Sequence, residues 1–327
     1  MKRLLAIAVT LAILIGLDVV VPRALNPYYQ QVLMLCGINA ILAVSLNLIN
    51  GFTGQFSIGH AGFMAIGAYS SAMVSLLAGQ KWAQWLSAAG LPPPIAHGGP
   101  LVVALLAGGL LAAAAGWVVG LPSLRLRGDY LAIVTLGFGE IIRVVITNVD
   151  AVGAARGLPG IPGWADLFWV GLCLVAVITV AVNLANSTHG RALFAIRDDE
   201  VAAEALGVNT TAYKVVAFVL GAFFAGIAGG LFAHYLSYLN PNSFTFIKSI
   251  EVIAMVVLGG MGSVTGSVLA AAILTLLPEV LRPVKDYRMV IYSLMLIVLM
   301  ITRPQGLLGH RELRLPWRRR ARRAEVA

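Results

Sequence analysis

Apolar residues run through this chain in blocks long enough to cross a membrane, separated by short polar or Gly/Pro-rich connectors. A spanning helix needs about 20 mostly apolar residues, and that length recurs at 4–21, 30–50, 57–79, 100–120, 130–148, 168–185, 214–236, 250–276 and 287–302. The pattern predicts an all-α polytopic membrane helix bundle of about 8–10 transmembrane segments. The first block follows Lys2 and Arg3, as a signal peptide's would. Pro22, Arg23 and Asn26-Pro27 come after it instead of a small-x-small cleavage pattern, so it reads as a retained helix. Pro92-Pro93-Pro94 with His97-Gly98-Gly99 reads as a loop, and so does Gly153 to Gly163.

Two blocks are interrupted. One carries Asn47, Asn50-Gly51, Thr53-Gly54-Gln55, Ser57, Gly59 and His60; the other carries Gly259-Gly260-Met261-Gly262-Ser263 and Gly266. Non-helical backbone at membrane depth is tolerated only where protein buries it or it lines a polar cavity. Paired interruptions around a substrate site are a transporter arrangement, although the two stretches resemble each other only weakly. The expectation is therefore of broken or re-entrant helices.

Composition strengthens the membrane reading. Of 327 residues, 59% are hydrophobic and 11% charged, with a mean hydropathy of +0.89. Soluble domains carry roughly 25% charged residues. Cys36 and Cys173 lie in apolar stretches with no metal-like spacing, so neither a disulfide framework nor a metal site is expected. Six of the nine net positive charges sit between Arg303 and the C-terminus. Directly after a hydrophobic span, such a tail is a topology anchor that meets anionic lipid, not a nucleic-acid site.

The positive-inside rule puts Lys2/Arg3, Arg125/Arg127, Arg191/Arg197/Lys214 and the C-terminal arginines in the cytoplasm. Nine plain spans would leave the tail outside. If 250–276 is a re-entrant or broken pair, parity is restored and both termini are cytoplasmic. The domain reading is one membrane unit over 1–309 and a basic tail over 310–327.

Polar residues at membrane depth are costly and are site candidates by default. Glu140 and Arg143 share a helix face and can pair with each other or meet a zwitterionic substrate. His60 can satisfy nearby backbone or touch substrate. Asn39, Asn47 and Gln55 fit interhelical glue, Glu251 opens the second broken block, and His234 is expected at the membrane interface. Among these, the pathway candidates are Asn47, Gln55, Ser57, His60, Glu140, Gly259, Gly260, Gly262 and Ser263. No GxxxxGK[ST], HExxH or GxSxG motif occurs, and no catalytic cluster is visible.

The one long charged connector runs from 186 to 213. Asp198 or Asp199 can cap a short helix over Glu200, Val201, Ala202, Ala203, Glu204, Ala205 and Leu206, closed by Gly207. Val201, Ala205 and Leu206 would then be free to enter a partner's groove. A generic loop helix is the plainer alternative.

Here the sequence resembles a known family. Ala203-Glu204-Ala205-Leu206-Gly207 looks like the ATPase-coupling loop of ABC importer permeases, and the chain at large resembles branched-chain amino acid permeases of LivM type. Matching stretches are Ser45 to Tyr69, Arg125 to Arg143, Gly190 to Asn209, Tyr213 to Ala233, Met255 to Ser263 and Arg303 to Gly309. The resemblance implies a permease subunit of a bacterial inner-membrane importer for branched-chain or related amino acids. Its partners would be a second homologous permease, two cytoplasmic ATPases and a periplasmic binding protein. ATP and Mg would sit on the ATPases, and this chain would need no cofactor of its own. The coupling residues would be Arg197, Asp198, Asp199, Glu200, Val201, Ala203, Glu204, Ala205, Leu206 and Gly207. One departure is Ala155-Arg156-Gly157-Leu158-Pro159-Gly160-Ile161, where the family often reads Thr-Gly-Gly-Pro-x-Gly-Ile; this loop would face the binding protein. The rival reading is a stand-alone secondary transporter or channel, which would need intramembrane carboxylates that are sparse here.

Overall fold

A computed structural model describes residues 2–90, 93–123 and 129–282, with 290, 293, 294, 297, 298, 301, 302, 306, 307 and 309 beyond them. The helices are α1 (Lys2–Ala24), α2 (Pro27–Asn50), α3 (His60–Val74), α4 (Gln80–Ala88), α5 (Pro93–Ser123) and α6 (Asp129–Asn148). There follow α7 (Leu167–Asn186), α8 (Thr188–Asp198), α9 (Glu200–Ala205), α10 (Thr210–Leu236), α11 (Phe246–Gly259) and α12 (Val264–Val280). Two-residue strands β1 (Leu158–Pro159) and β2 (Tyr238–Leu239) pair antiparallel.

The protein is an all-α polytopic membrane bundle. Among the described residues, six helices are long and apolar enough to cross a membrane. The larger number read from the sequence also took in the first helix, the broken 250–276 block and 287–302. The last of these lies largely outside the described residues, as do Arg125, Arg127 and the arginine tail.

The core forms around α2, whose residues 38–50 are all buried. A helix covered all round needs no amphipathic stripe, which explains its unbroken apolar run. α10 packs against α2, α3 and α5. Glycines let the backbones approach: a Cβ on Gly226 would lie 2.6 Å from Ala112 Cβ and 2.8 Å from Gly108 O, and one on Gly67 would run into the Gly226 backbone. Without a hydrophobic driving force inside lipid, close packing of this kind holds helices together.

Two elements differ from the sequence reading, and a third, the 250–276 block, has the broken form expected of it. The 93–99 stretch is not a loop: α5 starts at Pro93 and carries His97, Gly98 and Gly99, while Pro92 lies outside the described residues. Proline is tolerated in a first helical turn because its missing N–H has no partner there anyway. α3 continues into α4 through a π-helical turn at Ser75–Gly79, so that 60–88 is one long span. The 250–276 block is two helices running in opposite directions along α2. Lys248 near the start of α11 and Thr275 late in α12 both bond to Asn39, whereas Gly262 between the helices bonds to Asn47. Gly260 (φ +102°) and Gly262 (φ +91°) turn the chain, in backbone states open to glycine at little cost.

Against α7, Asp18 of α1 accepts a hydrogen bond from Phe168 N at 3.1 Å. Burial, and next the nearby Asp18 carboxylate, push the Asp166 carboxyl above its ordinary range.

Candidate functional site

The two interruptions meet. Gly262 N donates to Asn47 Oδ1 at 2.8 Å, joining the α11–α12 turn to the end of α2. A Cβ on Gly51 would strike both Asn47 Oδ1 and Gly262 N, so glycine is needed for the approach. From the end of α8, Arg197 reaches into this junction. Its Nη1 donates to Gly51 O at 3.3 Å, while Nε and Nη2 grip Asp198 Oδ1 at 3.0 and 2.9 Å. The guanidinium also lies 5.1 Å over the Phe194 ring, and Phe194 packs on Phe52. One cation thus touches both helix breaks and the α8–α9 segment.

Further into the first break, polar groups are buried without partners. Both amide atoms of Gln55, Asn47 Nδ2, Ser57 Oγ and His60 Nδ1 have none. His60 is fully buried, with Nε2 2.7 Å from Ser45 Oγ. Ser45 donates its own proton to Leu42 O at 2.8 Å, so the network assigns the ring hydrogen to Nε2 and leaves Nδ1 as a free acceptor. Each unpaired buried polar group costs about 1–3 kcal/mol. Several in one segment mark a place where water or a polar ligand belongs.

The remaining pathway candidates are placed as follows. Gly259 packs against Gly266, and Ser263 Oγ caps α12 by accepting from Gly266 N at 3.1 Å. Glu140 stands apart from the junction. It pairs with Arg143 at 2.7 Å and lines a crevice with Gly62, Phe244 and Ser249. Glu251 pairs with Lys248 at 3.1 Å; the break in this block lies beyond it, at 260–263. His234 lies near the end of α10 and is fully buried: it stacks on Trp164 and bonds Ser71, Ser75 and Pro162 O. Beside it, at the far end of the 60–88 span, a cavity of about 350 Å³ is lined by Gln80, Gln84, Ser87, His97 and Trp164.

The 186–213 connector folds as α8 and α9. Asp199, not Asp198, caps α9, accepting from Val201 N and Ala202 N at 2.9 and 3.0 Å. Glu200 pairs with the buried Lys214 at 2.6 Å, Glu204 accepts from Thr210 Oγ1 at 2.7 Å, and Ala203 is buried beneath them. Gly207 has φ +84°. Val201 and Leu206 point outward, 65% and 84% exposed, with Ala205 also exposed. The segment is anchored on one side and bare and apolar on the other.

Sequence reasoning missed three hydroxyl residues. Ser45 holds His60, Thr135 Oγ1 accepts from Ile58 N at 3.1 Å, and Ser249 Oγ accepts from Ala61 N at 3.0 Å. Among the described residues, no group of three or more His, Cys, Asp or Glu side chains converges as a metal site would need.

Comparison with known proteins agrees with this architecture. The family described as "Branched-chain amino acid transport system / permease component" matches residues 28–301. The high-affinity branched-chain amino acid transport system permease proteins LivM of Salmonella typhimurium and Escherichia coli K12 are each 38% identical over 303 residues, covering 82% of this chain and 67% of theirs. The LivH permease of Escherichia coli K12 is 25% identical over 305 residues, covering 84% of this chain and 92% of its own. No solved structure matches.

Proposed function

Because this chain belongs to the branched-chain amino acid transport permease family, we propose that it is a pore subunit of an importer driven by ATP bound on other chains. It carries branched-chain or related amino acids into the cytoplasm and catalyses no reaction itself. Its partners in this reading are a second homologous permease, two ATPases that grip α9, and an external binding protein. ATP and Mg reside on the ATPases. The membrane is the bacterial inner membrane, with α8, α9 and both termini cytoplasmic. Residues 1–309 form the permease unit, and 310–327 form a basic tail against the headgroups.

The observation that carries the reading is the junction of Asn47, Gly51, Gly262 and Arg197. In the closed state, both breaks are pinned together and the polar groups of Gln55, Ser57 and His60 are left without partners. A push on α9 moves α8, and Arg197 transmits it to Gly51 and to the Gly260–Ser263 turn. As the breaks part, the orphaned groups gain water or the polar ends of the substrate. Unpaired polar groups destabilise the closed state, which favours the open one by the same amount. Substrate arrives from the end that holds the Gly153–Gly163 loop and the 350 Å³ cavity.

Affinity purification of the tagged chain from native membranes tests this. A P-loop ATPase and a second hydrophobic permease are expected to co-purify. A chain recovered alone that still transports in liposomes without ATP would mean a self-sufficient carrier.

A further inference from the structure

Of the six membrane-long helices among the described residues, α6 and α7 are the least covered, with only 17% of the apolar stretch of each buried. Their bare faces differ in kind. α7 carries no charged residue between Leu167 and Asn186 and exposes Val175 and Val180, as a lipid-facing helix would. α6 exposes Ile133, Ile141 and Val144, but halfway along it sits the Glu140–Arg143 pair, whose side chains remain 36% and 28% exposed.

Lipid is a poor neighbour for that pair. A charge at the centre of a membrane helix costs at least about 2.5–3.5 kcal/mol. Glu140 stands about 15 Å along the axis from Tyr130 and about 12 Å from Asn148, too far for a carboxylate to reach either headgroup layer. Arg143 is long enough to snorkel, yet its Nε points back to Glu140 at 2.7 Å. This chain leaves 36% of the Glu140 side chain and 28% of the Arg143 side chain uncovered, and something other than lipid must meet that part.

The surroundings say what. Gly137, one turn before Glu140, is exposed with nothing within 4 Å of a Cβ, which leaves the helix flat enough for another helix to pack closely. Glu140 also walls the crevice that runs past Gly62 and Ser249 to the first turn of α3, where Ser249 Oγ binds Ala61 N beside His60. An apolar, locally flat helix with one polar centre, joined inward to a segment rich in orphaned polar groups, fits a seam between two membrane subunits with a polar path along it.

We propose that the bare face of α6 is the seam with the second, homologous permease subunit, and that Glu140 and Arg143 face the polar path between the two chains. This rests on the importer reading and adds to it which surface meets that partner.

The test uses the assembled complex with Cys36→Ala and Cys173→Ala in this chain. Single cysteines are placed at Ile141 and Val144 on α6 and at Val180 on α7, each labelled with a thiol-reactive fluorophore. In vesicles containing brominated lipid, loss of fluorescence is expected at 180, with little or none at 141 and 144. A benzophenone maleimide at 141, which on irradiation inserts into a neighbouring C–H bond and needs no partner thiol, should shift the band by the mass of the second permease. Equal quenching at 141, 144 and 180 in a complex that still transports would overturn the seam and leave the importer intact. A 141 cross-link only between copies of this chain would overturn the choice of partner. A chain that purifies with no second permease would overturn both readings.

Discussion

Asn47 and Arg197 do different work at the junction, and substitutions should separate them. Asn47→Ala removes the acceptor for Gly262 N and leaves a backbone donor in a packed turn unpaired, a loss of about 1–3 kcal/mol. Destabilisation in detergent and a fall in transport are expected together. Arg197→Lys keeps the charge but loses the planar fork that holds Asp198 with two nitrogens while a third reaches Gly51 O. Its expected signature is ATPase recruitment at the ordinary level with ATP turnover no longer stimulated by substrate and binding protein. Unchanged stimulation in Arg197→Lys would remove it from the path between α9 and the breaks. The sequence made Asn47, His60 and Gly260 visible because a polar side chain or a glycine run interrupts an apolar block. It hid Ser45, Thr135 and Ser249, because hydroxyl residues inside spans commonly bond their own helix. Arg197 was legible as part of a charged connector; its reach to Gly51 is a tertiary contact, 146 residues away in sequence, that no local pattern encodes.

α9 shows how a short element can be specified by its ends. Six residues are too few for a helix to hold by propensity alone, so the caps and anchors decide: Asp199 at the start, Gly207 after the end, and the Glu200–Lys214 and Glu204–Thr210 contacts between. A cap at Asp198 or Asp199 and the closing Gly207 were readable from residue types and spacing; the choice of Asp199 and the two anchors were not, since the anchors need the neighbouring helix. Because Leu206 and Val201 touch little of this chain, Leu206→Asp should leave insertion and thermal stability within about 0.5 kcal/mol of the parent. ATPase co-purification should nonetheless fall sharply. Full recovery of the ATPase with Leu206→Asp would mean that α9 is an ordinary loop helix. The α5 start was misread for the opposite reason: three prolines and two glycines suggested a loop, but tertiary packing overrode that signal. Gly98, for example, packs against Trp169.

At the scale of the whole molecule, the reversal at Gly260–Ser263 bears on the proposed topology. α11 has 14 residues and spans about 21 Å, short of a hydrocarbon core of about 30 Å, yet it turns back on α12 along the same stretch of α2. Counted as one pass, 250–276 would put the arginine tail on the side opposite α9. Counted as a descending half-helix and an ascending span, it would put them on the same side, as the proposed topology and the bias of Lys and Arg require. The basic tail lies outside the described residues, so labelling is the direct test. With Cys36 and Cys173 replaced, cysteines at Leu206 and Arg320 should both react with an impermeant maleimide only when the side bearing the ATPases is open to the reagent. A cysteine at Arg156, on the loop tied to β2 through Tyr238, should react only from the other side. Reaction of Arg320→Cys from the Arg156 side would mean that the turn does not reverse a membrane pass, and the meeting of the two breaks would then need another explanation.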